Sequence, residues 1–261
     1  MSTWTYGEAL RALGGAQKAA ARGAPAYSRF VNRRLGRYLA AGAAAAGLTP
    51  NGVTAISALF TAAGVATLAA APLGTATGVA VTVLLLVGYA FDSADGQLAR
   101  LRGGGSPAGE WLDHVVDSVK VSALPLALLV ALWRSDVEPV LLTLPLVGAV
   151  VAAVSFFTMI LTEQLRRAHG TVPLAPQGGG AGSALRLLVS IPTDYGVQCF
   201  VFLLLGVLPV FLVLYGGIVV ASALYLLLAC VKWYRELRSL APSPRSAPGA
   251  TGAPGAGSVS A

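Results

Sequence analysis

Four aspartates in this chain form two pairs with helical spacing: Asp92 and Asp95 at i,i+3, and Asp113 and Asp117 at i,i+4. On helices each pair projects from one face. The chain has eleven acidic residues in all and is otherwise strongly apolar, so these carboxylates lie where ionisable groups are expensive and mark function. Four carboxylates converging without compensation repel one another. A divalent cation relieves that repulsion, and all-oxygen donors favour Mg²⁺, Mn²⁺ or Ca²⁺ over zinc. Magnesium commonly bridges phosphate oxygens, which points to a phosphorylated substrate. The same groups would also serve a cation or proton relay in a transporter, and spacing alone leaves that alternative open.

Composition sets the surroundings of these residues. Of 261 residues, 56% are hydrophobic and 11% charged, with a mean hydropathy of +0.72; a soluble domain carries about 25% charged residues. The chain therefore reads as an all-α integral membrane protein, long enough for six transmembrane helices of about 20 residues each. Apolar runs lie at roughly 51–71, 77–95, 111–133, 138–162, 193–212 and 214–234, the break between the last two being short and uncharged. Ahead of them, Tyr27 to Ala46 mixes Arg29, Arg33, Arg34 and Arg37 with Phe30, Leu35, Tyr38 and Leu39, the pattern of an amphipathic helix on the membrane surface. Thr49-Pro50-Asn51 is a helix start with a small polar residue available as a cap. Residues 1–26 are low in apolar content and expected to be mobile, 27–240 form the membrane domain, and the Ala/Pro/Gly/Ser-rich 241–261 is expected to be disordered. Met1 to Leu48 lacks the compact apolar core and cleavage site of a signal peptide. Cys199 and Cys230 sit in apolar runs and read as small buried hydrophobes.

The net charge of +7 does not form one patch, which argues against nucleic acid as a partner and for topology and contact with anionic membrane lipids. Sixteen of the eighteen Lys and Arg residues border the spans on one side, leaving Lys120 within a span and Arg134 on the other side. Positive-inside bias then places both termini in the cytoplasm. Asp92 and Asp95 fall at the cytoplasmic end of the second span, and Asp113 and Asp117 in the first turns of the third. A short loop joins these ends, so the pairs can meet at one depth. Asp92 and Asp95 also lie at a helix C-terminus, where the macrodipole disfavours anions, which strengthens the case for a bound cation.

The pattern Asp92-x-x-Asp95-Gly96-x-x-Ala99-Arg100, eight residues, Gly109-x-x-x-Asp113-x-x-x-Asp117 resembles the signature of the CDP-alcohol phosphotransferase family. All eight fixed positions are present at the family's spacing, and Pro50-Asn51-x-x-Thr54 resembles a further family segment. The resemblance implies displacement of CMP from a CDP-linked alcohol by the hydroxyl of a second alcohol, in the setting of phospholipid synthesis. It implies two Mg²⁺ or Mn²⁺ ions, one held by Asp92, Asp95 and Asp113 and one by Asp92, Asp113 and Asp117. Asp117 would also be the general base, and Gly96, Ala99 and Arg100 would lie against the cytidine diphosphate. A homodimer and a cytoplasmic-side active site in the cytoplasmic membrane are likewise implied.

Family members divide by donor. Ser106-Pro107-x-Gly109-Glu110-x-x-Asp113-His114-x-x-Asp117-Ser118 looks most like the choline and ethanolamine phosphotransferases, which use a CDP-linked aminoalcohol and a diacylglycerol acceptor. Glu110 and His114 flank the aspartates on the same helix, where either would assist proton removal or orient an Asp. The six-span plan is instead that of the CDP-diacylglycerol users, whose acceptor is a polar alcohol such as glycerol phosphate or inositol phosphate. Arg166, Arg167, His169 and Arg186 would hold an acceptor phosphate in that case, or reflect topology alone.

Overall fold

The Thr49 hydroxyl accepts a hydrogen bond from the Gly52 backbone N–H at 3.1 Å, and Pro50 opens the helix that follows, where its missing N–H is no loss. Ser106 and Pro107 repeat the device, with Ser106 Oγ accepting from Gly109 N at 3.0 Å. These two caps start the two helices that flank the aspartates. In the computed structural model, which describes residues 4–20, 26–170 and 194–240, the chain is helical with no strand among the described residues. The elements are α1 (Tyr6–Ala20), α2 (Arg33–Ala45), α3 (Pro50–Ala70), α4 (Thr75–Leu101), α5 (Pro107–Trp133), α6 (Thr143–Ala168), α7 (Tyr195–Val201) and α8 (Leu208–Arg238). A π-helical turn, Ser28–Asn32, leads into α2, and 3₁₀ turns cover Pro139–Leu142 and Phe202–Gly206.

Among the described residues, five helices are long and apolar enough to cross a membrane: α3, α4, α5, α6 with its leading turn, and α8. The protein is an all-α, multi-pass integral membrane protein. α4 is the hub, packed against α3, α2 and the turns after α7, while α5 packs on α3 and α6, and α6 on α8. Leu68, Val81, Leu85, Leu124, Leu128, Leu132, Phe202 and Phe211 form the main buried cluster, in the half of the bundle away from the aspartates. The α3–α4 contact is close because Gly88 carries no side chain. A Cβ there would lie 2.6 Å from Thr61 Oγ1 and 3.2 Å from the Ser57 carbonyl. The Ser57 hydroxyl instead donates to the Gly88 carbonyl at 2.8 Å, a bond across two membrane helices.

Two expectations change. The N-terminal stretch expected to be mobile carries α1, whose Ala9 and Leu13 are buried against α2 and α4. Thr5 and Glu8 make a reciprocal capping box: Glu8 Oε2 accepts from Thr5 N at 3.0 Å and Thr5 Oγ1 from Glu8 N at 3.3 Å. The Thr5 hydrogen bonds hold the Glu8 carboxyl below its ordinary range, so the box persists at neutral pH and is lost on acidification. Low average hydropathy hid this helix because its buried stripe is only a few residues wide. The segment expected to span 193–212 is different too. α7 and its 3₁₀ continuation, Tyr195–Gly206, form a short apolar helix, and the chain breaks at Val207. α8 then runs unbroken from Leu208 through Gly217, the stretch where the break was expected. Pro209, in the first turn of α8, cannot continue the preceding turn, so the break falls before it. The amphipathic helix is present as α2: Ala40, Ala41, Ala43 and Ala44 are buried, and Phe30, Leu35 and Tyr38 are exposed. Asn32 Nδ2 donates to the Tyr89 carbonyl at 3.0 Å, fixing this helix to α4. The segments 1–3, 21–25, 171–193, with Arg186, and 241–261 lie outside the described residues.

Gly88→Ala should force α3 and α4 apart and destabilise the protein by roughly 1–3 kcal/mol. Thermal unfolding in detergent should show a lower Tm, whereas Gly42→Ala, with open space at its Cβ, should leave Tm unchanged or raise it.

Candidate active site

The C-terminal turns of α4 and the N-terminal turns of α5 lie at the same end of the bundle, joined by Arg102–Ser106. Asp92, Asp113 and Asp117 meet there, each offering a carboxylate oxygen within 4.8 Å of the others. Asp95 is buried at 6% exposure outside that triplet and accepts a 2.6 Å hydrogen bond from the Thr54 hydroxyl. Thr54 is itself 4% exposed and also lies 3.2 Å from the Pro50 carbonyl, so the start of α3 fixes one oxygen of Asp95. Asn51 reaches across to α5: a side chain at Gly109 would meet Asn51 Oδ1 at 3.2 Å. The small residue at 109 therefore has a geometric reason. The Arg100 guanidinium lies 3.5 Å from where a Gly96 Cβ would be, folding back over the bare turn. Arg100 is exposed, and Ala99 beside it is half-buried.

Glu110 and His114 sit on the outer side of the cluster. His114 Nε2 is 3.7 Å from Glu110 Oε1 and Nδ1 is 3.8 Å from Asp113 Oδ2, distances longer than a hydrogen bond. Glu110 Oε1 accepts from Arg167 Nη1 at 2.5 Å, and Arg167 Nη2 donates to Glu163 at 2.6 Å. Arg166 makes a two-pronged pair with Glu236 at 2.8 and 2.6 Å, and His169 Nδ1 lies 2.8 Å from the Leu165 carbonyl. Three of the four basic groups considered as phosphate holders thus already have partners: Arg167 and Arg166 tie α6 to α5 and α8, and His169 contacts its own helix.

One residue of the cluster lies outside the motif: Lys120. Its ammonium contacts Asp117 and lies 3.2 Å from Asp92 Oδ1, at 6% exposure. The rings of Tyr195 and Tyr89 stand 5.2 and 6.0 Å from it. Its spacing from Asp117, i,i+3, was the available signal: a lysine at that depth needs a carboxylate partner. The cation seated among these oxygens shows that the cluster accommodates positive charge, and a purely carboxylate donor set fits a hard divalent ion. Asp92, Asp113 and Asp117 would hold it, with Asp95 beside them. Tyr195 also lines an apolar cavity of about 450 Å³ between α5, α6 and α8, walled by Val121, Leu124, Phe156, Met159 and Trp233. The charged cluster and the apolar cavity thus share a wall.

Thr54→Val removes the donor that orients Asp95. Divalent-ion affinity, read by Mn²⁺ titration, should fall about 10–100-fold, while Thr54→Ser should retain it.

No curated protein matches the chain. Solved structures of the phosphatidylinositol phosphate synthase PgsA1 of Mycobacterium tuberculosis share its fold. The structure with CDP-DAG bound is 24% identical, with 83% of this chain and 98% of that one covered and a TM-score of 0.53. The structure in complex with manganese and citrate is 24% identical, with 80% and 91% covered and a TM-score of 0.51. Residues 47–232, most of the chain and all eight motif positions, match the family model described as CDP-alcohol phosphatidyltransferase, and the chain belongs to that family.

Proposed function

We propose that this membrane transferase moves a phosphoaminoalcohol from its CDP-linked form to the hydroxyl of diacylglycerol, releasing CMP. The observation that carries the reading is the shared wall: a carboxylate triplet suited to a metal–diphosphate, directly beside an apolar cavity suited to a lipid. The order Glu110-x-x-Asp113-His114-x-x-Asp117-Ser118 supports the aminoalcohol branch by resemblance to the choline and ethanolamine enzymes. The CDP-DAG bound to the PgsA1 relative favours a second reading, in which the lipid is the CDP-linked donor and a polar alcohol is the acceptor.

In either case the chemistry is an in-line displacement at phosphorus. The acceptor oxygen forms a bond to the phosphorus bearing the alcohol, and the bond from that phosphorus to the bridging oxygen breaks, so CMP leaves. The hydroxyl proton passes to Asp117, which faces the cluster from α5. Mg²⁺ or Mn²⁺, when bound, would neutralise the diphosphate and stabilise charge on the attacking and leaving oxygens. Gly96 leaves room for a nucleotide against α4, and Arg100 supplies positive charge to the diphosphate. Asn51 and Gly109 form the opposite lip. Glu110, paired with Arg167, and His114 lie on the outer side of the aspartates. Sixteen of eighteen Lys and Arg residues border one face, which supports placing the site and both termini on the cytoplasmic side of the cytoplasmic membrane. The family pattern supports a homodimer.

Purified protein in lipid should release CMP from CDP-choline or CDP-ethanolamine with diacylglycerol. Release only from CDP-diacylglycerol with glycerol phosphate or inositol phosphate would transfer the conclusion to the second reading. Asp117→Asn should lower the rate about 10²–10⁴-fold, the range for loss of a general base, measured as radiolabelled CMP. Chelation with EDTA should abolish turnover, and added Mg²⁺ or Mn²⁺ should restore it.

A further inference from the structure

We propose that the hydroxyls of Ser222 on α8 and Tyr195 on α7 recognise the ester carbonyls of a diacylglyceryl lipid lodged in the apolar cavity, so that the cavity takes ester-linked chains in preference to ether-linked ones. This rests on the lipid reading of the cavity above, and it holds whether the glycerolipid enters as acceptor or as CDP-linked donor. The observation behind it is a hydroxyl left without a bond. Ser222 lines the cavity, and its Oγ is buried with no hydrogen-bond partner among the described residues. Hydroxyls inside the other membrane helices behave differently. Thr67, Thr158 and Thr162 each donate to the carbonyl four residues back, at 2.6–2.8 Å. Ser222 has the Ile218 carbonyl at the same offset on α8 and does not use it.

A buried hydroxyl left unbonded costs stability, and a bound molecule that offers an acceptor removes that cost. The remainder of the wall dictates what else the molecule must carry. Leu124, Val151, Phe156 and Phe202 present hydrocarbon, which matches acyl chains. Tyr195 Oη is buried in the same wall without a hydrogen-bond partner, its neighbour being the Cys199 thiol, a weak acceptor. The Tyr195 ring stands 5.2 Å from the Lys120 ammonium, so this hydroxyl belongs to the side of the cavity that adjoins the charged cluster. A few polar groups in an otherwise apolar pocket fix the orientation of its ligand. Two donors in a hydrocarbon wall, one of them next to the charged cluster, match a molecule with two ester carbonyls between its polar head and its chains. A dialkyl lipid of the same length lacks those carbonyls and loses the match.

Lipid binding to the full chain in detergent, read by quenching of Trp233 in the cavity wall, tests recognition apart from turnover. The probes are diacylglycerol and CDP-diacylglycerol with brominated chains, and the dialkyl counterpart of each; Trp233→Phe supplies the background. For the lipid that the cavity takes, the wild type should bind the diester about 3–10-fold tighter than the diether, the range for one hydrogen bond. Ser222→Ala and Tyr195→Phe should each narrow that ratio while leaving diether affinity unchanged. Lipid-free Ser222→Ala should unfold at an unchanged or higher Tm. A diester preference confined to CDP-diacylglycerol would uphold the proposal and make the lipid the donor; one confined to diacylglycerol would uphold it and make the lipid the acceptor. Equal wild-type binding of diester and diether would overturn it, and so would variants that weaken both forms alike. Absence of quenching by every lipid would overturn it together with the lipid reading of the cavity, while CMP release still decides the transferase chemistry.

Discussion

Three carboxylates from two helices must sit within 4.8 Å of one another in a bundle that is otherwise apolar. At an effective dielectric near 20, two unit charges at that separation repel by about 3–4 kcal/mol. Three ionised pairs together approach the whole stability of a typical domain, roughly 5–15 kcal/mol. The bundle end is organised around that problem. Lys120 compensates Asp92 and Asp117, Thr54 donates to Asp95, and the negative charge that remains fits a divalent ion.

Holding the aspartates at one depth requires three helices to start or end together. The Thr49 and Ser106 caps fix where α3 and α5 begin, and the small residues on α4 fix how closely α3 approaches it. Away from the carboxylates, the leucine and phenylalanine cluster supplies a dry, close-packed base. The outer ion pairs, Arg167 with Glu110 and Arg166 with Glu236, tie α6 to α5 and α8 around the rim. Being partly exposed, they contribute less to stability than to the register of the three helices.

The site joins two solvents. On one side a charged cluster opens towards the basic rim of the bundle; on the other an apolar cavity of about 450 Å³ reaches into the membrane region. Tyr195 belongs to both, its ring over the Lys120 ammonium and its body in the cavity wall. A reaction between a water-soluble nucleotide and a lipid needs such a boundary, because neither partner is at home in the other's medium.

Much of this was legible in the order of residues. Hydropathy decided the membrane class, helical spacing put the aspartates in two pairs, and the eight-position motif carried the family. These are properties of covalent sequence, since helical periodicity and transfer free energy act locally. Tertiary structure decided the rest. That Tyr195–Gly206 is a short helix packed on α4 is not marked by hydropathy, and α1 is held by a buried stripe too narrow for composition to register. Asp95 is set apart from the other three because Thr54, 41 residues earlier, reaches it. Lys120 appeared in the sequence as a stray charge within a span. Only the approach of α4 and α7 makes it the partner of Asp92 under Tyr89 and Tyr195, because charge compensation depends on distances between helices that no single helix specifies.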